Sequence, residues 1–165
     1  MDNTIYQFSS RTLQGKEISF DQFRGKVILI VNTATHCGQA PQLKGLEEVY
    51  KQYYDRGLIV IGFPSAQFDQ EPLEGSAIRE FCSVNYGVTF PMMEKIILKG
   101  KDAHPIFNFF SDKKQNGKIA SKPYWNFYKY LIGRDGKVID YFITYRFPKS
   151  KKIINAIEKA LGGNN

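Results

Sequence analysis

Two short runs without a polar side chain set the frame of this chain: Val27-Ile28-Leu29-Ile30-Val31 and Leu58-Ile59-Val60-Ile61-Gly62. Each reads as a buried strand, and continuous apolar runs suit a parallel pair covered on both faces. Between them Leu43, Leu46, Val49, Tyr50 and Tyr53 recur close to the helical period of about 3.6 residues. An amphipathic helix is therefore expected over about 40–55, stopped by Gly57. Strand, helix and strand make one β-α-β unit, whose crossover is right-handed.

The rest of the chain builds on that unit. Residues 5–23 predict a hairpin, with Tyr6-Gln7-Phe8 and Glu17-Ile18-Ser19-Phe20 as its arms and Gln14-Gly15 at its turn. A loop over 63–75 leads to a helix at about 76–85, with Ser76 as its expected cap. Phe90-Pro91 is extended, 94–98 predicts a strand, and 104–112 predicts a helix with Ile106, Phe107, Phe109 and Phe110 as its apolar load. Residues 113–124 are polar and loop-like. Strands at 127–132 and 137–142 flank Arg134-Asp135-Gly136, a strong hairpin signal. A final helix over 150–161 stops at Gly162-Gly163. A βαβ half followed by a ββα half resembles the thioredoxin topology. The expected fold is thus α/β, one domain over 1–165, with an N-terminal β-hairpin and a mixed central sheet sandwiched by helices. In such sheets function gathers at the carboxyl ends of the parallel strands. Cys37 and the 63–75 loop both lie there.

Composition narrows the chemistry. The chain has 165 residues, enough for one domain with a substantial core. No apolar stretch approaches the ~20 residues that span a bilayer, and Met1-Asp2-Asn3-Thr4 lacks the basic and apolar regions of a signal peptide. A cytoplasmic protein without membrane insertion is expected. The net charge of +7 comes from scattered lysines, with no nucleic-acid motif beside them, and reads as a solvated basic face. A static disulfide between the two cysteines does not suit a reducing compartment. Neither Cys37 and Cys82 nor His36 and His104 complete a metal-ligand set at usual spacing, so no metal is expected. The cysteines are left as reactive thiols or as inert core residues.

Cys37 stands between the first apolar strand and the helix that follows it. Free N–H groups near a helix start favour a thiolate, and thiolates are the attacking species. The local segment is Cys37-Gly38-Gln39-Ala40. Ala40 occupies the place of the second sulfur of a C-x-x-C motif, so no local dithiol can shuttle electrons. A lone sulfur here suits attack on a peroxide O–O bond, giving a sulfenic acid that needs a second thiol to resolve it.

Asn32-Thr33-Ala34-Thr35-His36-Cys37-Gly38 with Pro41-Gln42 resembles the active-site segment of the glutathione peroxidase family. Gly62-Phe63-Pro64-Ser65-Ala66-Gln67-Phe68 is similar to that family's second signature, and Trp125-Asn126-Phe127 to its third. Residues 81–91 resemble the segment carrying the resolving cysteine in its thioredoxin-dependent, non-selenium members. The resemblance implies reduction of ROOH to ROH and water, with Cys37 as the peroxidatic residue and Gln67, Trp125 and Asn126 as its hydrogen-bonding companions. It implies Cys82 as the resolving thiol, with the 76–86 helix unwinding because a disulfide needs Cα atoms within about 7 Å. The reductant is then external, thioredoxin or glutathione, with no prosthetic group. Ser65-Ala66 stands where many members have Cys-Asn, which removes a thiol and an amide. His36 replaces the more usual lysine or acid, and an exposed neutral histidine is the simpler expectation there. The short stretch between Asp112 and Trp125 implies a monomer with an open face, admitting organic and lipid hydroperoxides beside hydrogen peroxide. The same two thiols also suit a redox sensor that passes oxidation from Cys37 to a partner protein. A binding module with an inert Cys37 would consume no peroxide.

Overall fold

The computed structural model describes residues 2–162. Its central sheet has four strands: β3 (Val27–Thr33), β4 (Leu58–Pro64), β5 (Lys129–Ile132) and β6 (Val138–Phe142), in the order β4-β3-β5-β6. β3 and β4 run parallel from the Val27–Leu58 pair to Thr33–Pro64, while β5 lies antiparallel to both β3 and β6. A separate hairpin joins β1 (Ser9–Arg11) to β2 (Glu17–Ser19). Among the described residues five α-helices accompany these strands: α1 (Gln42–Tyr53), α2 (Ser76–Tyr86), α3 (Pro105–Ser111), α4 (Lys113–Asn116) and α5 (Lys151–Leu161). This is the thioredoxin-like α/β arrangement.

β3 is buried throughout, and apolar from Val27 to Val31, because it serves two cores. Val27, Leu29 and Val31 pack with Leu43, Leu46 and Val49 of α1 and Ile153 and Ile157 of α5. Ile28 and Ile30 pack on the opposite face with Ile106, Phe107 and Phe110 of α3. Phe110 stacks on Tyr130 of β5 at 4.2 Å. Alternate residues of one strand thus hold helices on both sides of the sheet. Among the described residues no helix is long and apolar enough to cross a membrane.

Several elements depart from the sequence reading, each for a local reason. The first arm of the hairpin lies at 9–11 because residues 5–7 form a 3-10 turn. That turn is fixed by long-range bonds: Ile5 N–H donates to Gly136 O at 2.8 Å, and the Tyr6 hydroxyl donates to Arg134 O at 3.0 Å. Residues 94–98 form no strand. Met93 N–H donates to Gly62 O in an isolated bridge, and then Glu94 and Ile96 donate to Arg11 O and Pro64 O, which breaks any ladder. Ser76 is not the cap of α2; Gly75 holds that position at φ 51° without a side-chain bond. Within 113–124, Asp112 caps the short α4 and the buried Asn116 amide donates to Phe109 O and Ile119 O. β5 begins at Lys129 rather than 127 because Phe127 adopts a left-handed φ of 66°. α5 ends at Gly162, whereas Gly163 lies outside the described residues.

Gly136, the last residue of the predicted turn, has φ +80° and lies under the Tyr6 ring, where an added Cβ would clash with the ring carbons. Gly15 shares the left-handed backbone, at φ +86°, but faces open space. Both alanine substitutions carry the backbone penalty, whereas only Gly136→Ala adds the clash. Gly136→Ala is expected to destabilise the protein by about 1–3 kcal/mol more than Gly15→Ala. Denaturant midpoints of the two variants check this.

Candidate active site

The site forms where β3 ends. Asn32, fully buried, uses its whole peptide and amide to tie that end to the chain entering β5. Its Nδ2 donates to Trp125 O at 3.0 Å and its Oδ1 accepts from Tyr128 N–H at 2.9 Å. Its backbone oxygen accepts from Phe127 N–H at 2.7 Å. These bonds hold Phe127 in its left-handed conformation, an uncommon state for a bulky residue. They fix Trp125 and Asn126 against the end of β3, the strand from which the Cys37 turn departs.

That turn is a chain of tight bonds leading into α1. Ala40 N–H donates to Cys37 O, Gln42 N–H to Gln39 O and Leu43 N–H to Ala40 O, each at 2.9 Å. Cys37 therefore stands one turn ahead of the helix rather than at its first residue. Its side chain is largely buried, and Gln39 N–H points to Sγ at 3.3 Å. Beside it, Gly38, Gln39, Pro41, Gln42 and Phe147 line a groove of about 280 Å³.

Gln67, Trp125 and Asn126 make no hydrogen bond to Sγ among the described residues, where Gln39 N–H is the group that reaches it. Gln67 is exposed on the loop after β4. Its Oε1 accepts from Leu98 N–H at 3.0 Å and Lys99 N–H at 3.3 Å, leaving its Nε2 donors free of those bonds. Trp125 is half-buried, packs against the core cluster containing both cysteines, and meets the Phe68 ring at 5.4 Å. Asn126 is fully buried, yet neither atom of its amide has a hydrogen-bond partner. A buried amide left in that state costs free energy, and such groups commonly mark a site awaiting a ligand or reacting atom. Its backbone is fixed by Thr144 Oγ1, which donates to Asn126 O at 2.7 Å.

His36 is exposed but not loose. Its Nδ1 lies 2.9 Å from Thr35 Oγ1, and its ring stacks on Phe81 of α2 at 5.6 Å. Thr35 in turn donates through N–H and Oγ1 to the buried Glu71 carboxylate, which also accepts from Leu73 N–H. Glu71 escaped the sequence reading because an acid in a polar loop looks solvated. It fastens the Cys37 turn to the approach of α2.

Cys82 lies on α2 and is essentially inaccessible. Burial pushes its thiol up to about 12, and the charge of Glu71 reinforces the shift. As long as α2 is closed, Cys82 is a poor nucleophile. The helix is nevertheless weakly held: Ile78 and Cys82 are its buried residues, whereas α1 buries six. After α2, the Glu47 carboxylate of α1 accepts from Thr89 N–H at 2.7 Å, Thr89 Oγ1 at 2.6 Å and Phe90 N–H at 3.3 Å. Two buried carboxylates thus bracket a segment with little core contact, the profile of a unit that opens locally. Both cysteines are free thiols, and among the described residues no three His, Cys, Asp or Glu side chains gather as metal ligands.

The glutathione peroxidase family model matches residues 5–111. The chain is 45% identical to a glutathione peroxidase-like peroxiredoxin, GPX5, of Chlamydomonas reinhardtii, with 92% of this chain and 97% of that protein covered. It is 43% identical to the hydroperoxy fatty acid reductase gpx1 of Synechocystis, with 97% of each covered. The solved structure of Trgpx in apo form superposes with a TM-score of 0.73 at 34% identity, covering 96% of this chain and 95% of that one.

Loosening α2 should expose its thiol without touching Cys37. In the reduced protein at neutral pH, iodoacetamide is expected to modify Cys37 at least tenfold faster than Cys82. Ile78→Ala removes one of the two buried anchors, worth about 2–5 kcal/mol, and should raise the Cys82 rate selectively. Site-resolved mass spectrometry of alkylation over time reads both rates.

Proposed function

The chain belongs to the glutathione peroxidase family, and from that premise we propose that it reduces hydroperoxides through Cys37 and recovers through Cys82. One observation supports this most: a lone sulfur at the strand end, without a neighbouring motif thiol, shares a buried cluster with a second thiol on a weakly anchored helix. In the first step the Cys37 thiolate attacks the terminal oxygen of ROOH. The O–O bond breaks, the sulfur loses two electrons to become Cys37–SOH, and the alkoxide takes a proton to leave as ROH. Gln67 Nε2, the Trp125 indole N–H and Asn126 Nδ2 are assigned as donors to the sulfur and the departing oxygen.

The second step needs α2 to open. Cys82, released from the environment that holds it protonated, attacks Cys37–SOH; water leaves and a Cys37–Cys82 disulfide forms. An external dithiol then takes the disulfide back to two thiols. Thioredoxin is the proposed reductant in place of glutathione, because the internal bridge forms before a small thiol arrives. The proposed substrates include organic and lipid hydroperoxides as well as hydrogen peroxide, in keeping with the name of the Synechocystis reductase. The reading places this chemistry in one domain, acting as a cytoplasmic monomer without a metal or prosthetic group.

Peroxide-driven NADPH oxidation tests the reading, with thioredoxin and its reductase set beside glutathione and its reductase. Sustained turnover is expected with thioredoxin, and Cys37→Ser should abolish it. Cys82→Ser should consume about one equivalent of peroxide and then stall with thioredoxin. Full sustained turnover by Cys82→Ser would remove Cys82 from the mechanism.

A further inference from the structure

Lys129 is a lysine where an apolar residue belongs. It opens β5, pairs with Phe142 across the sheet, and is fully buried. The neighbouring β5 residues Tyr130 and Ile132 belong to the core on the α3 side, whereas Phe127 and Leu131 belong to the cluster that contains Cys37. The period of two places Lys129 with the latter, on the Cys37 side of the sheet. Its Nζ donates to Thr144 O at 2.9 Å and Arg146 O at 2.8 Å. Among the described residues no carboxylate lies within ion-pair distance, so an ammonium here has two backbone carbonyls and no counter-charge. A core position that keeps such a group departs from the general rule that buried charges are paired.

The contacts of Lys129 lead to the peroxidatic sulfur. Thr144 O also accepts from Gln42 Nε2 at 2.8 Å. The same Nε2 donates to Gln39 Oε1 at 3.0 Å, and the Gln39 N–H is the group that points to Cys37 Sγ. Thr144 additionally bonds the backbone of Asn126. One side chain therefore braces the segment that fixes both the Cys37 turn and the Asn126 peptide.

We propose that Lys129 is a positioning residue for the peroxidase reaction: its buried ammonium clamps the 144–146 carbonyls beneath Gln42 and supplies the positive charge that favours Cys37 as a thiolate. This rests on the assignment of Cys37 as the attacking sulfur. The other charged groups on the elements around Lys129 are engaged or turned outward. Glu47 of α1 holds Thr89 and Phe90, and Glu158 of α5 holds Arg56 and Tyr53. Asp140 of β6 accepts from Tyr141 N–H, and the Tyr145 and Arg146 side chains are exposed. Cys82 of α2 is held neutral. Glu71 is engaged by Thr35 and Leu73, and Cys37 shares the cluster on this face of the sheet. Burial alone lowers Lys129 to about 7, so the buried ammonium gains from any anion brought near it. In the proposed pair, a proton passed from the Cys37 thiol to a Lys129 amine yields a thiolate and an ammonium with no net change in charge. Coupling of this kind is reciprocal: each charge holds the other in place.

The test uses the pH dependence of Cys37 alkylation in the full chain, in a Cys82→Ser background. Lys129→Met keeps length and burial but removes the charge. Its alkylation midpoint is expected to rise by about one pH unit, with roughly a tenfold loss of rate below the midpoint. A role confined to packing would change thermal stability and leave the midpoint in place, and an unchanged midpoint overturns the proposal. Should Lys129→Met fail to fold, the reciprocal measurement decides. The side-chain carbon resonance of Lys129 is titrated with Cys37 present and in Cys37→Ser. A lower Lys129 midpoint in Cys37→Ser supports the pair; equal midpoints overturn it. Failure of the underlying assignment looks different: Cys37 of the otherwise unaltered chain would alkylate like an ordinary thiol and consume no peroxide.

Discussion

The side chain of Asn32 organises this molecule. It lies one residue before the end of β3, and its two hydrogen bonds, with two more from the Asn32 backbone, join that strand to the Trp125–Tyr128 segment. Cys37 follows it by one short turn, and Trp125 and Asn126 precede β5 on the other side of the same bonds. The pieces of the site come from opposite halves of the chain, and a single buried amide fixes their relative place. Because every polar group of Asn32 is satisfied internally, that junction is rigid. The Asn126 amide next to it is buried without a partner, which is the geometry the proposed donor role requires.

Rigidity on one side is matched by looseness on the other. α2 carries the second thiol on a helix with two buried side chains, tied down at its ends by Glu71 and Glu47. The same burial that silences Cys82 gives the closed helix most of what holds it. A single opening therefore delivers both changes that resolution requires: the thiol gains access to Cys37, and it returns toward the ordinary acidity of a cysteine. The order of events follows from this. In the proposed cycle, oxidation of Cys37 belongs to the closed form and disulfide formation to the open one.

The framework of the fold was legible in the sequence because long apolar runs and helical spacing are strong signals. β3, α1, β4 and α5 fall where Val27–Val31, Leu43–Tyr53, Leu58–Gly62 and Ile153–Leu161 place them. The elements missed were set by contacts distant in sequence. Residues 5–7 curl because Gly136 and Arg134 hold them, and 94–98 stay irregular because Arg11 and Pro64 take their donors. The site was partly legible: the signature residues Cys37, Gln67, Trp125, Asn126 and Cys82 were named from the segments they occupy. Asn32 stood inside one of those segments without a role. Glu71 and Lys129 gave no warning, because burial of a charged residue is decided by the finished fold.

The central claim is that Cys37 takes the oxidation and Cys82 rescues it. Peptide mapping after adding one equivalent of hydroperoxide to the reduced, unmodified protein tests it most directly. The account predicts loss of both free thiols and a crosslinked pair of peptides containing Cys37 and Cys82. Unreacted thiols, or over-oxidation of Cys37 with Cys82 still free, would contradict it.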